Sequence, residues 1–245
     1  MLRDVLIVLG FIVFQINCGN IPSYIHICKR NDPAVAKCIN ESIEIIRPRL
    51  RGGIKELGVP ALEHLKIQDI DIGQGSPNFK AILKDIDVEG ASDFVLNKLK
   101  INVPTLTFRI HVTLPLLRLS GTFDVDTKIL TVPFKGEGKF YANATYCIGT
   151  GVLKGSLKEV NGAQHVEFSQ LNLKLQIADY NIKLETAKVA DATLVQAAND
   201  VLNQNRQEFL RIATPFIETR VSDTIMQIAN DIVKNFSFDE VFPEN

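Results

Sequence analysis

Four histidines are the residues of this 245-residue chain that could most readily bind a metal ion or transfer a proton. They occupy separate segments, and no two have the spacing of an HExxH helix. The four are His26, His64, His111 and His165. Asp69 and Asp71 alternate onto one face of a predicted strand, where a solvated surface explains them better than acid–base catalysis. The sequence therefore predicts no metal site.

Motifs for nucleophilic or phosphate chemistry are also missing from the sequence, which contains no GxSxG, no GxxxxGK[ST] and no CxxC. The glycine-rich residues 136–138 and 149–151 lack the strand-to-helix context of a dinucleotide site and are typical of hairpin turns. Cys147 has no histidine partner in its own predicted strand. We predict a protein that is not an enzyme and uses no cofactor.

The charge and composition of the chain argue against nucleic acid as a partner. The net charge of -1 and the pI near 6.4 leave no basic surface of the kind that nucleic acid requires. Hydrophobic residues make up 46% of the chain, enough for a large core, and no Pro/Gly/Ser-rich linker divides it. We therefore expect residues 20–245 to form a single domain, monomeric, that does not bind nucleic acid.

Residues 1–19 have the pattern of a secretory signal peptide. Arg3 precedes an apolar run from Val5 to Ile16, and small residues near Gly19 offer a cleavage site. The apolar run is well short of the ~20 residues that span a bilayer, and no stop-transfer pattern follows it. We predict cleavage near residue 19, secretion to the extracellular space and no stable insertion into a membrane.

Removal of the signal peptide takes Cys18 with it and leaves Cys28, Cys38 and Cys147. An odd number of cysteines in an oxidising compartment predicts one disulfide and one unpaired thiol. Three free thiols are the alternative. The count alone does not fix which two residues pair.

Hydrophobic periodicity predicts one helix followed by a long run of strands. Asp32-Pro33 is typical of a helix start, Pro48 interrupts the apolar stripe that follows, and Gly52-Gly53 ends it. From about Lys66 to Glu185 the period becomes two, which indicates strands of an antiparallel sheet. The predicted turns between them are Ser120-Gly121, Asp126-Thr127-Lys128, Gly136-Glu137-Gly138, Gly149-Thr150-Gly151 and Asn161-Gly162.

Three Asn-X-Ser/Thr sequons, at Asn40, Asn143 and Asn235, are candidate glycosylation sites. Because a glycan needs a solvent-facing asparagine, Asn143 sets the two faces of its strand. The predicted outer face carries Tyr141, Thr145 and Cys147, and the predicted inner face carries Phe140, Ala142, Ala144 and Tyr146. Two inward alanines leave space, although larger opposing side chains could fill it.

The last third of the chain returns to helical periodicity. One apolar stripe predicts a helix from Asn199 to Asn235, roughly 55 Å long and so longer than a compact domain of this size. Pro215 removes a hydrogen bond inside it and should bend it. A bent helix of this length fits a curved sheet wrapped around it better than a straight coiled coil.

Several short motifs along the chain keep a definite order and spacing. They are Cys28-Lys29-Arg30-Asn31-Asp32-Pro33 with Cys38, Arg47-Pro48, residues 53–63 (GIKELGVPALE), Gly90-Ala91-Ser92, Gly121, residues 129–138 (ILTVPFKGEG), Leu202-Asn203-Gln204-Asn205, Pro215 and residues 238–243 (FDEVFP). Jointly they resemble the insect takeout and juvenile-hormone-binding proteins over nearly the whole mature length.

This resemblance implies an α+β, tubular lipid-binding fold, in which a highly curved antiparallel sheet wraps a long C-terminal helix around an apolar tunnel. It also implies a disulfide between Cys28 and Cys38. Of the family's Asn-Leu-Phe-Asn-Gly-Asp motif before the last helix, residues 186–191 keep only Asp191. Cys147 lacks the partner found in moth juvenile-hormone carriers, and this favours the takeout branch.

Together, the periodicity and the resemblance predict which residues line the tunnel. They are Phe108, Ile110, Val112, Phe134, Phe140, Ala142, Ala144, Tyr146, Phe209, Ala213 and Phe216. Tyr146 is the predicted polar anchor, because a buried tyrosine hydroxyl must find a partner. The predicted function is a secreted carrier of a small hydrophobic ligand, namely juvenile hormone, another terpenoid, a fatty acid or an odorant-like lipid.

Two alternatives remain open at this point. One is a secreted signalling or protein-binding module with no transported ligand. The other is a membrane-lipid binder similar to bactericidal/permeability-increasing proteins, which would need a basic tip, and Arg47, Arg49 and Arg51 form the local basic cluster that could supply it.

Overall fold

The computed structural model describes residues 21–73, 80–129, 132–188 and 191–244, so the predicted signal peptide lies outside the described residues. The described chain forms one sheet with helices before and after it. In chain order the elements are α1 (Val35–Leu50), β1 (Leu65–Ile67), β2 (Ile70–Ile72), β3 (Lys80–Glu89), β4 (Val95–Asn102), β5 (Thr107–Ile129), β6 (Val132–Val160), β7 (Ala163–Glu185), α2 (Ala192–Gln204), α3 (Arg206–Val233) and α4 (Phe238–Val241).

Helix α1 begins slightly later than the sequence predicts. The Asp32 carboxylate accepts the backbone N–H of Ala34 at 2.7 Å, but helical geometry starts only at Val35. Pro48 lies within the last turn, and the helix ends at Leu50 as expected. Gly53 follows with φ +82°, and a Cβ there would lie 2.8 Å from the backbone nitrogen of Ala61, so only glycine fits.

The sheet is antiparallel and consists mainly of three very long strands. Its order is β1-β3-β5-β6-β7, with β2 paired to β3 and β4 paired to β5. Strands β5, β6 and β7 contain 23, 29 and 23 residues. Of the predicted turns only Asn161-Gly162 is confirmed, and it joins β6 to β7 with both residues at positive φ. The other four predicted turns were wrong, since they lie inside strands.

Close packing explains why glycines stand inside these strands. A Cβ at Gly121 would approach the Phe140 ring to 2.7 Å, and a Cβ at Gly138 would lie 1.9 Å from the carbonyl oxygen of Glu185. These glycines allow neighbouring groups to lie against the backbone where the sheet curls. The glycines in the sequence therefore indicate close approach of neighbouring groups to the backbone and not reversal of the chain.

The inward and outward alternation of β6 reverses at Tyr146. Ala144 and Cys147 are both buried, so the two residues between them, Thr145 and Tyr146, face solvent. Tyr146 has φ +51°, a left-handed conformation that breaks the pleat. The predicted inward position of Tyr146 was therefore wrong, as its side chain is 60% exposed, and the predicted outward position of Cys147 was wrong for the same reason.

The same reversal crosses three strands without any change of register. Directly opposite residues share a face, and the inward rows on either side of it are Leu114–Cys147–Ile177 and Leu117–Ala144–Tyr180. In each strand two residues separate these rows: Pro115–Leu116, Thr145–Tyr146 and Ala178–Asp179. We call this feature the face reversal.

The predicted long C-terminal helix is two helices that meet at Asn205. Helix α3 alone has 28 residues, about 42 Å, and contains Pro215 as predicted. Ala213, in the predicted apolar stripe, is fully buried against the sheet, whereas Ile225 further along the same stripe is 39% exposed. The stripe is therefore fully buried at Ala213, partly buried on either side of it, and open at Ile225. Within the described residues, no helix is long and apolar enough to cross a membrane.

Helices α2 and α3 satisfy the free edge of β7 with their side chains. Asn203 accepts the N–H of Ile182 at 3.0 Å and donates to its carbonyl at 2.7 Å. Asn199 pairs in the same two-way manner with Leu184. The remaining contacts of this kind are those of Asn230 with Phe168, Glu218 with the N–H of Leu175, and Ser222 with the carbonyl of Leu171.

Helix α3 also reaches the opposite side of the curled sheet, where it contacts β1 and β2. There the Gln68 amide donates to the Gln227 side-chain oxygen at 3.5 Å. The helix therefore closes the curled sheet into a tube over part of its length. The predicted fold, a curved antiparallel sheet wrapped around a long C-terminal helix, is confirmed.

We expect the Asn203→Ala substitution to lower the free energy of unfolding by about 1 to 3 kcal/mol, because it leaves both backbone groups of Ile182 without their partner. Asn181, whose side chain is exposed on the outer face of the same strand, gives the matched control. Urea unfolding of both variants checks this. An equal, small effect of Asn203→Ala and Asn181→Ala would show that the edge contacts contribute little.

Burial raises the pKa of the Cys147 thiol to about 11, so the reactive thiolate is scarce at neutral pH. We expect no alkylation of the native protein by iodoacetamide at pH 8, and one alkylated cysteine after denaturation without reductant. Alkylation of the native protein should become measurable only as the pH approaches 11. Intact-mass analysis checks the count, and rapid native labelling at pH 8 would contradict a buried thiol.

Candidate functional site

Two separate hydrophobic core clusters fill the two ends of the tube. The first lies among β2, β3, the later part of β5 and α2, and it includes Phe123 and Leu202. The second lies near the start of β5 and includes Leu106 and Phe168, together with α4. Phe108, which packs against the second cluster, and Leu117, which packs against the first, stand on the same strand about 30 Å apart along it, so a stretch of interior separates the clusters.

Most of the predicted tunnel residues belong to these clusters. Those in the first cluster are Phe134, Phe140, Ala142, Phe209, Ala213 and Phe216. Phe108 belongs to the second, where its ring meets those of Phe168 and Phe242 at 5.6 and 6.5 Å. Ala144 is buried beside the face reversal, and Tyr146 faces solvent. Only Ile110 and Val112 lie on the inner face between the clusters.

Between the clusters, nine inward residues form a grid three strands wide and three rows deep, which we call the mid-tube wall. Its rows are Ile110–Gly151–Leu173, Val112–Gly149–Leu175 and Leu114–Cys147–Ile177. The isoleucine, leucine and valine side chains of the wall are partly exposed, and they belong to neither core cluster. The wall carries no charged group.

Two glycines in the middle strand let neighbouring side chains approach the backbone of this wall. A Cβ at Gly149 would lie 3.1 Å from Val112 Cγ2, and a Cβ at Gly151 would lie 3.3 Å from Leu171 Cδ1. Neighbouring side chains therefore lean over both glycines, which contribute no side chain of their own. The sequence predicted a turn at residues 149–151, so these two glycines were not among the predicted tunnel residues, although the alternation of apolar residues from Leu171 to Ile177 indicates an apolar face beside them.

Helix α3 passes level with the mid-tube wall. Its position is fixed by Glu218, which accepts the N–H of Leu175 at 2.8 Å and pairs with the Lys174 ammonium at 2.9 Å, and by Ser222, which donates to the Leu171 carbonyl. Val221 follows Ala213 and Ile217 at steps of four on the helix. The buried Thr224 hydroxyl donates to the Arg220 carbonyl of its own helix.

The buried polar aromatic residue is Tyr180 and not the predicted Tyr146. Its hydroxyl donates to the Leu202 carbonyl at 2.7 Å, and its ring lies 5.6 Å from that of Phe209. Burial raises the pKa of Tyr180 to about 12, so the hydroxyl stays protonated and can keep donating. The alternation of Tyr180 with Ile182 and Leu184 was visible in the sequence, but its helix partner was not.

The segment before α1 contacts the C-terminal residues beside the second hydrophobic cluster. Cys28 and Cys38 form a disulfide with a Cα–Cα distance of 5.9 Å, and Cys28 packs in that cluster. The Arg30 guanidinium donates to the Phe242 carbonyl at 2.8 Å, pairs with Asp239 and stacks over the Phe238 ring. This end of the tube is therefore covered by α4 and the segment that the disulfide holds.

The basic cluster that could have marked a membrane-binding tip has structural partners. Arg47 stacks over the Phe94 ring at 4.1 Å and donates to the Phe94 carbonyl. Arg49 stacks over the Tyr24 ring at 4.1 Å, and Arg51 lies 3.8 Å from an Asp93 oxygen. Arg47 and Arg51 are therefore ion-paired, and Arg47 and Arg49 stack on aromatic rings, so these side chains have partners within the protein.

One group of ionisable side chains has the composition of a metal site. His64 Nδ1 lies 3.1 Å from Asp87 Oδ1 and 3.7 Å from Glu89 Oε1. The Lys66 ammonium, however, donates to the other Asp87 oxygen, and this hydrogen bond with that of His64 lowers the pKa of Asp87. Ion pairs and hydrogen bonds among His64, Lys66 and Asp87 at the surface therefore explain this cluster without a metal ion.

Two surface clefts lie away from the mid-tube wall. One, of about 630 Å³, is lined by charged residues that include Lys84, Glu137 and Glu185. The other, of about 430 Å³, lies near the second cluster and is lined by residues such as Leu106, Leu157 and Phe238. None of the predicted tunnel residues lines either cleft.

A solved structure confirms this arrangement of sheet and helix. The chain is similar to the crystal structure of Takeout 1 of Epiphyas postvittana, with a TM-score of 0.73 and 17% sequence identity over 89% of this chain and 99% of that one. It also overlaps a crystal structure of lipopolysaccharide binding protein at a TM-score of 0.33, with 12% identity over 82% of this chain and 40% of that one. The second value is too low to carry an argument.

Sequence comparison extends the likeness to a family. A putative beta-carotene-binding protein of Schistocerca gregaria is 20% identical over 215 residues, which are 87% of this chain and 86% of that protein. The family model described as haemolymph juvenile hormone binding protein matches residues 5–243. The chain belongs to this family, the takeout and juvenile-hormone-binding proteins.

Proposed function

We propose that this protein is a secreted, non-catalytic carrier that binds one small hydrophobic ligand against the mid-tube wall. The observation that carries the proposal is the grid of nine inward residues between two packed clusters, with glycines at its centre. Partly exposed apolar side chains on an inner face gain free energy when a ligand removes them from water, about 25 cal/mol per Å² of apolar area.

Family membership and the named relatives support the same function. The matched family is described by its binding of juvenile hormone, and the locust relative by its binding of beta-carotene. Both ligands are terpenoid, as the predicted ligand set allows, and an apolar wall without charges suits such molecules. Juvenile hormone, other terpenoids, fatty acids and odorant-like lipids are the ligands to be compared.

The proposal includes secretion, supported by the signal-peptide pattern of residues 1–19 and by the Cys28–Cys38 disulfide, which is typical of oxidising compartments. The rival proposal is a signalling or protein-binding module. The stacked and paired arginines at residues 47–51 speak against a basic membrane-binding tip.

We expect Val112→Phe to weaken ligand binding at least about tenfold, because the larger ring would project from the mid-tube wall into the interior where the proposed ligand lies. Thr150→Phe is the matched control: Thr150 stands between the two glycines on β6 and faces solvent. Displacement of a fluorescent fatty acid by a terpenoid ester, a carotenoid and a fatty acid measures binding, and circular dichroism checks the fold.

Equal binding by the wild type and a folded Val112→Phe protein would place the ligand elsewhere. Ile110→Phe repeats the test one row along the same wall. Failure of the wild type to bind any of the three lipid classes would favour the signalling module.

A further inference from the structure

Two exposed tyrosines lie on the outer face of β6 near the face reversal. Tyr141 is 43% exposed and Tyr146 is 60% exposed. Tyr141 faces outward by ordinary alternation, and Tyr146 does so because of its left-handed backbone. Exposed tyrosine rings offer flat apolar faces against which a covering group can pack.

The apolar surface extends across the sheet at the level of Tyr146. Pro115 on β5 and Ala178 on β7, which stand between the residues paired with Thr145 and Cys147, are exposed as well. Three adjacent strands therefore present apolar groups side by side to solvent. Such a patch in an extracellular protein would favour non-specific association if it stayed bare.

Asn143 stands between the two tyrosines on the same outer face. It is exposed, and it lies opposite Arg118 on β5 and Asn181 on β7. Tyr141 is two residues away along the strand, about 7 Å, so the two side chains are direct neighbours on this face. Thr145, the third residue of the sequon, is exposed too.

The other two sequons have different surroundings. The amide oxygen of Asn40 is buried, and Ser42 of that sequon is buried and donates to the His26 carbonyl. Asn235 is exposed, but it precedes the buried Phe236 and the Ser237 that caps α4. Of the three sequons, the one at Asn143 is flanked by exposed aromatic rings.

We propose that Asn143 carries an N-linked glycan whose first sugars lie over Tyr141 and Tyr146 and cover this outer patch. In the transfer, the Asn143 amide nitrogen bonds to the anomeric carbon of a lipid-diphosphate-linked oligosaccharide. The amide loses one proton, and the lipid diphosphate leaves with the electrons of the broken C–O bond. The C–H faces of the sugar rings then lie on the electron-rich faces of the aromatic rings.

This inference depends on the secretory route in the proposed function, but it concerns the face of the sheet opposite the mid-tube wall. The glycan should therefore leave lipid binding unchanged. The two proposals can fail separately, because site occupancy and lipid binding are measured in different assays.

The test uses the full-length protein secreted from insect cells, with two variants of one residue. Thr145→Val removes the sequon, whereas Thr145→Ser keeps it. Peptide mass mapping should find a glycan at Asn143 in the wild type and in Thr145→Ser, and none in Thr145→Val. A secreted wild type with unmodified Asn143 overturns the proposal, and so does a chain retained inside the cell, which would also remove secretion from the proposed function.

Nitration of tyrosines by tetranitromethane tests where the sugars lie. Loss of the glycan in Thr145→Val should raise the nitration of Tyr141 and Tyr146 several-fold over Thr145→Ser. Tyr180 should stay unmodified in both, because it is buried and its hydroxyl is donated to Leu202. Equal nitration of Tyr141 and Tyr146 in the two variants would overturn the covering role, as would protection caused by dimerisation, which light scattering detects.

Discussion

The backbone groups along the free edge of β7 need hydrogen-bond partners that no further strand provides. Asparagine side chains of α2 and α3 supply them in pairs, one amide for each exposed N–H and C=O. A 23-residue strand with an open edge would otherwise be a template for pairing with another chain. Because the partners stand on helices, the same contacts that protect the edge also hold α3 over the concave face. The same interactions thus protect the edge of β7 and close the tube.

The position of the helix then decides what the interior can contain. At the two ends of the tube, large side chains such as Phe123 and Phe168 fill the space between sheet and helix. In the middle, Gly149 and Gly151 contribute no side chains to the central strand, and partly exposed leucines stand beside them. Packing at the ends stabilises the protein, and the middle is the part of the interior to which we assign the ligand. In this proposal, stability and binding depend on different segments of the same strands.

Much of this architecture could be predicted from the sequence, since hydrophobic periods of two and of about 3.6 specify strands and helices locally. The inward positions of Phe140 and Ala144 followed correctly from the exposure of Asn143. The prediction failed two residues later, at Tyr146. A single left-handed residue shifts the inward and outward alternation there, and the hydrophobic pattern of the sequence does not reveal a left-handed backbone. The glycines were wrongly predicted as turns for a similar reason. Gly138 allows close contact with Glu185 of β7, which is distant in sequence. The hydrogen bond from the Tyr180 hydroxyl to the Leu202 carbonyl also depends on a contact between strand and helix that no local pattern encodes.

The face reversal also bears on how three such long strands find a single alignment. An ordinary alternating strand can slide by two residues along its neighbour and still keep every apolar side chain inside, so its alignment is degenerate. The reversal interrupts β5, β6 and β7 at matched positions. After a slide of two residues these interruptions would no longer lie opposite one another. Near the reversal, inward residues of one strand would then stand beside outward residues of its neighbour. The matched positions of the face reversal on the three strands therefore favour one alignment of the sheet over alignments shifted by two residues.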